Sequence, residues 1–145
     1  MNGELVRTYS LAKDGKNLKL APNFTLKEFA CKDGSDVVLV WVGMPDLLQQ
    51  GRSHFNAKMH LTSAYRTEPY NKKIGGSAHS RHMCGMAVDI VVEGASPLEV
   101  ARYFDKFLGD KGCVGLYKNY VHVDGREKKY RYDMRGGREI AVNGF

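Results

Sequence analysis

Ser80-Arg81-His82-Met83-Cys84-Gly85-Met86-Ala87-Val88-Asp89-Ile90-Val91-Val92 is the stretch on which the reading of this chain turns. Successive side chains of a strand point to opposite faces. From Met86 to Val92 the run therefore reads as a strand with Ala87, Asp89 and Val91 on one face and Val88, Ile90 and Val92 on the other. Downstream, Tyr120-Val121-His122-Val123-Asp124 alternates apolar and polar residues in the manner of a half-buried strand. His122 and Asp124 then share one face and Val121 and Val123 the other, with a core beneath and a polar site above. His82, Asp89 and His122 supply two imidazoles and a carboxylate. That is the number of protein ligands a catalytic zinc takes when its fourth position stays open. The same donors also serve iron or nickel. This combination points to an enzyme.

Working outward, Met59-His60-Leu61-Thr62-Ser63 alternates and predicts a strand that delivers Tyr65 and Arg66 to its end. The polar, glycine-bearing segment from Thr67 to Arg81 shows no period and reads as a long functional loop. Thr25-Leu26-Lys27-Glu28 has capping-box form and predicts a short helix through Phe29. Pro45 fits the first turn of a helix carrying Leu47, Leu48, Gly51 and Phe55, in which Gly51 permits close packing. Ser96-Pro97-Leu98-Glu99 opens the clearest helix, with Val100, Ala101, Phe104, Phe107 and Leu108 as its apolar stripe and Gly109 as its stop. The N-terminal segment reads as a strand or extended lead into a helix. Short strands are expected around Cys113–Leu116, Tyr120–Asp124, Lys129–Asp133 and Glu139–Val142. Early helices and a late antiparallel sheet, with helices packed on it, give an α+β class.

The 145 residues, 43% hydrophobic and 26% charged, suit one globular domain spanning 1–145. No linker, repeat or low-complexity tract divides them. No stretch approaches the roughly 20 apolar residues of a membrane span. Met1-Asn2-Gly3-Glu4-Leu5-Val6-Arg7 has no apolar signal core, so synthesis in the cytoplasm without an export signal is expected. The net charge of +6 suits an anionic target. Nucleic acid is not the expected one, because the basic residues are scattered apart from Arg126-Glu127-Lys128-Lys129-Tyr130-Arg131 and no nucleic-acid motif is present. Cys31, Cys84 and Cys113 make neither a disulfide framework nor a Cys-rich metal site, and read as reduced packing residues.

Ser63-Ala64-Tyr65-Arg66-Thr67, Tyr70-Asn71, Gly75-Gly76, the Ser80-to-Asp89 run and Tyr120-to-Asp124 together resemble the M15 family of zinc peptidases. That family comprises D-alanyl-D-alanine carboxypeptidase-like enzymes and phage endolysins, and shares its fold with hedgehog signalling domains. Its pattern Ser-x-His-x-x-Gly-x-Ala-x-Asp is met by Ser80, His82, Gly85, Ala87 and Asp89. The resemblance covers roughly Asn23 to Arg131.

The resemblance implies a hedgehog/DD-peptidase-like fold and one Zn²⁺ held by His82, Asp89 and His122. It also implies hydrolysis of peptidoglycan stem peptides, by a carboxypeptidase or an endopeptidase, through a metal-activated water. A monomer acting on the bacterial wall after release, as a phage endolysin does, is the expected context. Arg66 takes the place of the family's substrate arginine. Ser80 serves either to bind a substrate carboxylate or to orient its loop. Many relatives carry Glu or Asp three residues before the last zinc histidine, where this chain has Asn119, which cannot act as a base. Asp124 is the natural substitute, either as the general base or as a carboxylate orienting a ligand. The competing classes are a non-catalytic wall-binding module that keeps the fold and metal, and a phage structural module.

Overall fold

In the computed structural model, residues 5–145 are described, so the Met1–Glu4 part of the N-terminal reading lies outside them. The chain enters through strand β1 (Val6–Ser10), a single helical turn α1 (Leu11–Asp14), and the short strands β2 (Lys19–Ala21) and β3 (Phe24–Thr25). A 3₁₀ turn, Leu26–Phe29, then follows with the expected capping box, Thr25 paired with Glu28. Strand β4 (Val37–Trp41) runs antiparallel to β1, with Val6 opposite Trp41 and Ser10 opposite Val37. The run Val37-Val38-Leu39-Val40, with three β-branched valines, suits that role, although β4 was not among the strands expected.

Helix α2 (Met44–Phe55) follows, with Pro45 in its first turn and Met44, Leu47, Leu48 and Gly51 buried. A Cβ on Gly51 would lie 2.7 Å from Phe104 Cζ and 3.0 Å from Met59 Cε. Close approach of α2 to the core therefore requires glycine there, as its place in the helix predicts.

Strand β5 (Met59–Ser63), helix α3 (Glu68–Lys73), strand β6 (Ala87–Val92), helix α4 (Pro97–Leu108) and strands β7 (Cys113–Leu116), β8 (Val121–Asp124), β9 (Tyr130–Asp133) and β10 (Ile140–Ala141) complete the fold. The last six strands in this series form one sheet in the order β10-β9-β7-β8-β6-β5. The α+β class stands, with one refinement: β7 and β9 pair in parallel, while the other neighbours in the sheet are antiparallel. The cause is positional. β8 folds back between β7 and β6, so the next reversal brings β9 to the free edge of β7, running in the same direction.

Two further expectations change. The segment after Thr67 is not all loop: Thr67 Oγ1 accepts the Tyr70 N–H at 3.3 Å, and Pro69 sits in the first turn of α3. These are ordinary helix-start signals that a missing period concealed. In α4 the buried stripe is narrower than expected, with Val100, Ala101 and Phe104 inside and Phe107 49% exposed. Phe107 instead stacks on Tyr103, which stacks in turn on His54.

Beneath the sheet, Val88, Ile90, Val121 and Val123 join Phe104, Leu48 and Val38 in the core. The opposite face of β6 and β8 presents Asp89, His122 and Asp124. Burial of the valine face fixes the register, since a one-residue slip would turn every polar side chain into the core.

Candidate metal centre

His82 reaches the site from a 3₁₀ turn, Arg81–Cys84, that leads into β6. Ser80 caps this turn, its Oγ accepting the His82 N–H at 3.2 Å. Gly85 closes it at φ +75°, where an added Cβ would fall 2.4 Å from the Leu39 carbonyl oxygen. Only glycine satisfies both the left-handed backbone and that approach. The glycine of the Ser80-to-Asp89 pattern is thus a backbone requirement that sets where His82 points.

The three proposed ligands converge. His82 is 3% exposed, and its Nδ1–H donates to the Ala64 carbonyl at 2.7 Å, leaving Nε2 to face Asp89 Oδ1 at 3.2 Å. His122 stands opposite Asp89 in the β6–β8 register and places Nδ1 3.1 Å from the same oxygen. Each ring therefore has its second nitrogen held by an oxygen acceptor, Ala64 O for His82 and Asp124 Oδ2 for His122 at 2.9 Å. A second-shell acceptor of this kind fixes which nitrogen offers its lone pair. Tetrahedral coordination with bonds of about 2.0–2.1 Å places neighbouring ligand atoms about 3.3 Å apart. The two observed separations lie close to that edge, and one ligand atom from each of the three residues falls within 4.8 Å of the others. The donors present fit a divalent cation.

Asp124 is fully buried, and both of its oxygens are committed. Oδ1 accepts the N–H and Nε–H of Arg126 at 3.2 and 2.9 Å, while Oδ2 accepts Arg126 Nη2–H at 2.7 Å and His122 Nε2–H at 2.9 Å. Burial works to raise its pKa, but His122 and Arg126 override it and hold the carboxyl well below the usual range. For Asp89, too, burial is outweighed by bonds to His122 and His82, and the carboxyl stays ionised. Cys113 lies opposite Asp124 in the β7–β8 register and close to His122 and Asp124. Burial pushes its thiol far up, so in the metal-free protein it packs as a neutral group.

Arg66 lies at the floor of the cleft, its guanidinium held from three sides. Nε–H donates to Ser63 Oγ at 3.0 Å, Nη1 to Asn71 Oδ1 at 3.2 Å and Nη2 to Asp89 Oδ2 at 3.4 Å. Asn71 is buried and donates onward to the Ser77 carbonyl at 2.9 Å. A Cβ on Gly76 would meet Asn71 Oδ1 at 2.0 Å, so the Gly75-Gly76 turn closes directly over this amide.

Asn119 is exposed, in the tight turn before β8, and does not line the cleft that holds His82, Asp89 and His122. Arg126 and the tyrosines Tyr117, Tyr120 and Tyr132 were absent from the expected site, yet they border it, and the buried Asn71 supports Arg66 beneath it. Asn71 was legible within Tyr70-Asn71. Arg126 escaped notice although it lies only two residues beyond Asp124, where its N–H closes a local turn on Asp124 Oδ1. His79 also lines the cleft, whereas His54 stacks on Tyr103 and His60 pairs with Glu93. The basic run 126–131 dissolves in the same way: Arg126 is spent on Asp124, and Arg131 is buried on Asp105 and the carbonyls that end α4.

Two imidazoles and a carboxylate, oriented from behind at the floor of an open cleft, define a candidate mononuclear metal centre. A family model described as Peptidase M15 matches residues 22–124, and the chain belongs to the M15 peptidase family. No curated protein matches the chain. Among the described residues no helix is long and apolar enough to cross a membrane.

Proposed function

We propose that the protein is a zinc-dependent peptidase acting on peptidoglycan stem peptides, with His82, Asp89 and His122 as the metal ligands. The observation that carries this reading is the convergence of His82 Nε2 and His122 Nδ1 on Asp89 Oδ1 at the floor of a cleft, in a chain of the M15 family. A nitrogen-nitrogen-oxygen donor set favours zinc over softer metals. When bound, such a cation polarises the scissile carbonyl and lowers the pKa of a water toward about 7.

The chain's own residues supply the rest. Arg66, pinned by Ser63 and Asn71, retains N–H groups with which to hold a substrate oxygen as negative charge develops on it. Ser80 orients the His82 turn, and its hydroxyl borders the cleft where substrate would lie. Asp124 is assigned here to orienting His122 and not to the base, since its oxygens already accept four hydrogen bonds from Arg126 and His122. The net charge of +6 suits an anionic wall, and a monomeric, endolysin-like role is in keeping with it.

A second reading, a wall-binding module that keeps the metal without catalysis, draws on the same commitment of Asp124 and on the exposure of Asn119. Elemental analysis of the purified protein, joined to amine release from cell walls with and without a chelator, separates the two. Stoichiometric zinc with chelator-sensitive release is expected. Zinc without release would leave the binding module, and a His82→Ala variant keeping full metal and activity would sink the metal assignment.

A further inference from the structure

The cleft over the ligands encloses about 570 Å³ and does not end there. A groove of about 560 Å³ shares His79, Ser80, Arg81 and Arg126 with it and runs on past Cys84 to Lys128. A second groove, of about 310 Å³, shares Tyr117, Tyr120 and Met134 and runs on to Lys118 and Arg135. These two grooves lie at opposite ends of β8: Tyr120 immediately precedes the strand, and Arg126 lies two residues beyond it. Four strand residues at about 3.3 Å each separate them by about 13 Å or more. His122 sits between. Among the described residues the proposed ligands therefore lie midway along a trough open at both ends, whereas a site for a chain terminus needs a wall at one of them.

Charge adds a second constraint. Arg126 and Arg135 are engaged by Asp124 and Asp133. Arg81 and Lys128 at one end, and Lys118 at the other, make no ion pair among the described residues, with Glu127 the one carboxylate lining either outer groove. Both arms thus offer uncommitted cations to whatever lies in them.

We infer that the site takes an internal peptide bond of an extended chain carrying carboxylates on both sides of the bond cut, and is an endopeptidase site. The inference rests on the peptidase reading above. Water supplies the oxygen of the new C–O bond, the C–N bond breaks, and a water proton ends on the leaving nitrogen, which gives one new acid and one new amine.

The test uses the zinc-loaded full chain and muropeptides freed from sacculi by a muramidase, with products read by mass spectrometry. Cleavage at internal bonds is expected, each fragment being longer than one residue. Release of a single C-terminal residue alone would overturn the inference while leaving the peptidase reading intact. No cleavage by a zinc-holding protein would overturn both. Lys118→Glu and Lys128→Glu are each expected to raise KM by about two- to fivefold, with kcat and bound zinc unchanged. Unchanged KM in both variants would refute the acidic substrate.

Discussion

Replacing Asp124 with Asn discriminates between the two roles its position allows. The carboxylate accepts from four donors, two on each oxygen. An amide has one oxygen, so its NH₂ must face donors in either orientation. Turned toward His122 and Arg126 Nη2, it forces His122 Nε2 to become an acceptor, which moves the ring proton to Nδ1, the atom that faces Asp89. Turned the other way, it opposes the N–H and Nε–H of Arg126. The first orientation removes a metal lone pair, and the second breaks the clamp that holds the side chain. Loss of an outer-shell partner of a ligating histidine typically lowers metal affinity about 10- to 100-fold, or about 1.4–2.7 kcal/mol. Competition of zinc against a chelating dye measures this directly, with circular dichroism confirming that the variant is folded. A zinc affinity within about twofold of the parent, together with a collapse of kcat, would refute the orienting role and return Asp124 to the base.

Three further outcomes are expected. Burial alone would lower the His122 pKa, but hydrogen bonds to Asp124 and Asp89 carry it from 6.5 up to about 9 in the metal-free protein. Zinc must then displace a proton, so calorimetry in buffers of different ionisation enthalpy at pH 7 should show proton release and an affinity that climbs toward pH 9. Because this pKa is raised by folding, its contribution to the stability of the chelated protein is complete below about 6.5 and lost as pH rises through about 9. Arg131→Met removes a buried guanidinium bonded to Asp105 Oδ1 at 2.6 Å and to the Gly112 carbonyl at 2.7 Å, and should cost about 3 kcal/mol in denaturant titrations. Burial raises the Asp105 pKa, but the Phe145 N–H and Arg131 outweigh it and depress it. Its contribution is therefore present above the ordinary carboxylate range and lost in acid, and the variant should show a flatter acid limb. Gly51→Ala puts a methyl 2.7 Å from Phe104 Cζ, so overpacking of about 1–3 kcal/mol should exceed the gain of about 1 kcal/mol in helix propensity. A thermal melt at or above the parent's would show that the contact relaxes freely.

Much of the fold is legible because burial imposes periods on the chain. The alternation in Met86–Val92 and Tyr120–Asp124, the capping boxes at Thr25 and Ser96 and the proline at 45 each state a local preference that the structure obeys. Helix α3 escaped notice because six residues, with only Asn71 buried, show no period. Phe107 was misplaced because helical spacing says which residues share a face, not how wide the buried part of that face is.

In the site, the candidate ligand trio was read from residue type and strand alternation together with the M15 resemblance, and Arg66 and Ser80 from the resemblance alone. Their partners were not. Ala64 holds His82 through a carbonyl, which every residue possesses and no sequence pattern marks. Arg126 reaches Asp124 through a local turn, Asn71 reaches Arg66 from within α3, and the trough joins residues 79–86 to 125–128 at one end and 117–120 to 134–137 at the other. The sequence by itself determined the alternation that puts valines below and His122, Asp89 and Asp124 above, because apolar burial with period two leaves no other register. Only the tertiary structure decided which nitrogen of His82 faces the metal position, because packing brings the Ala64 carbonyl to it across 18 residues, whereas His122, Asp124 and Arg126 meet at spacings of two along the chain.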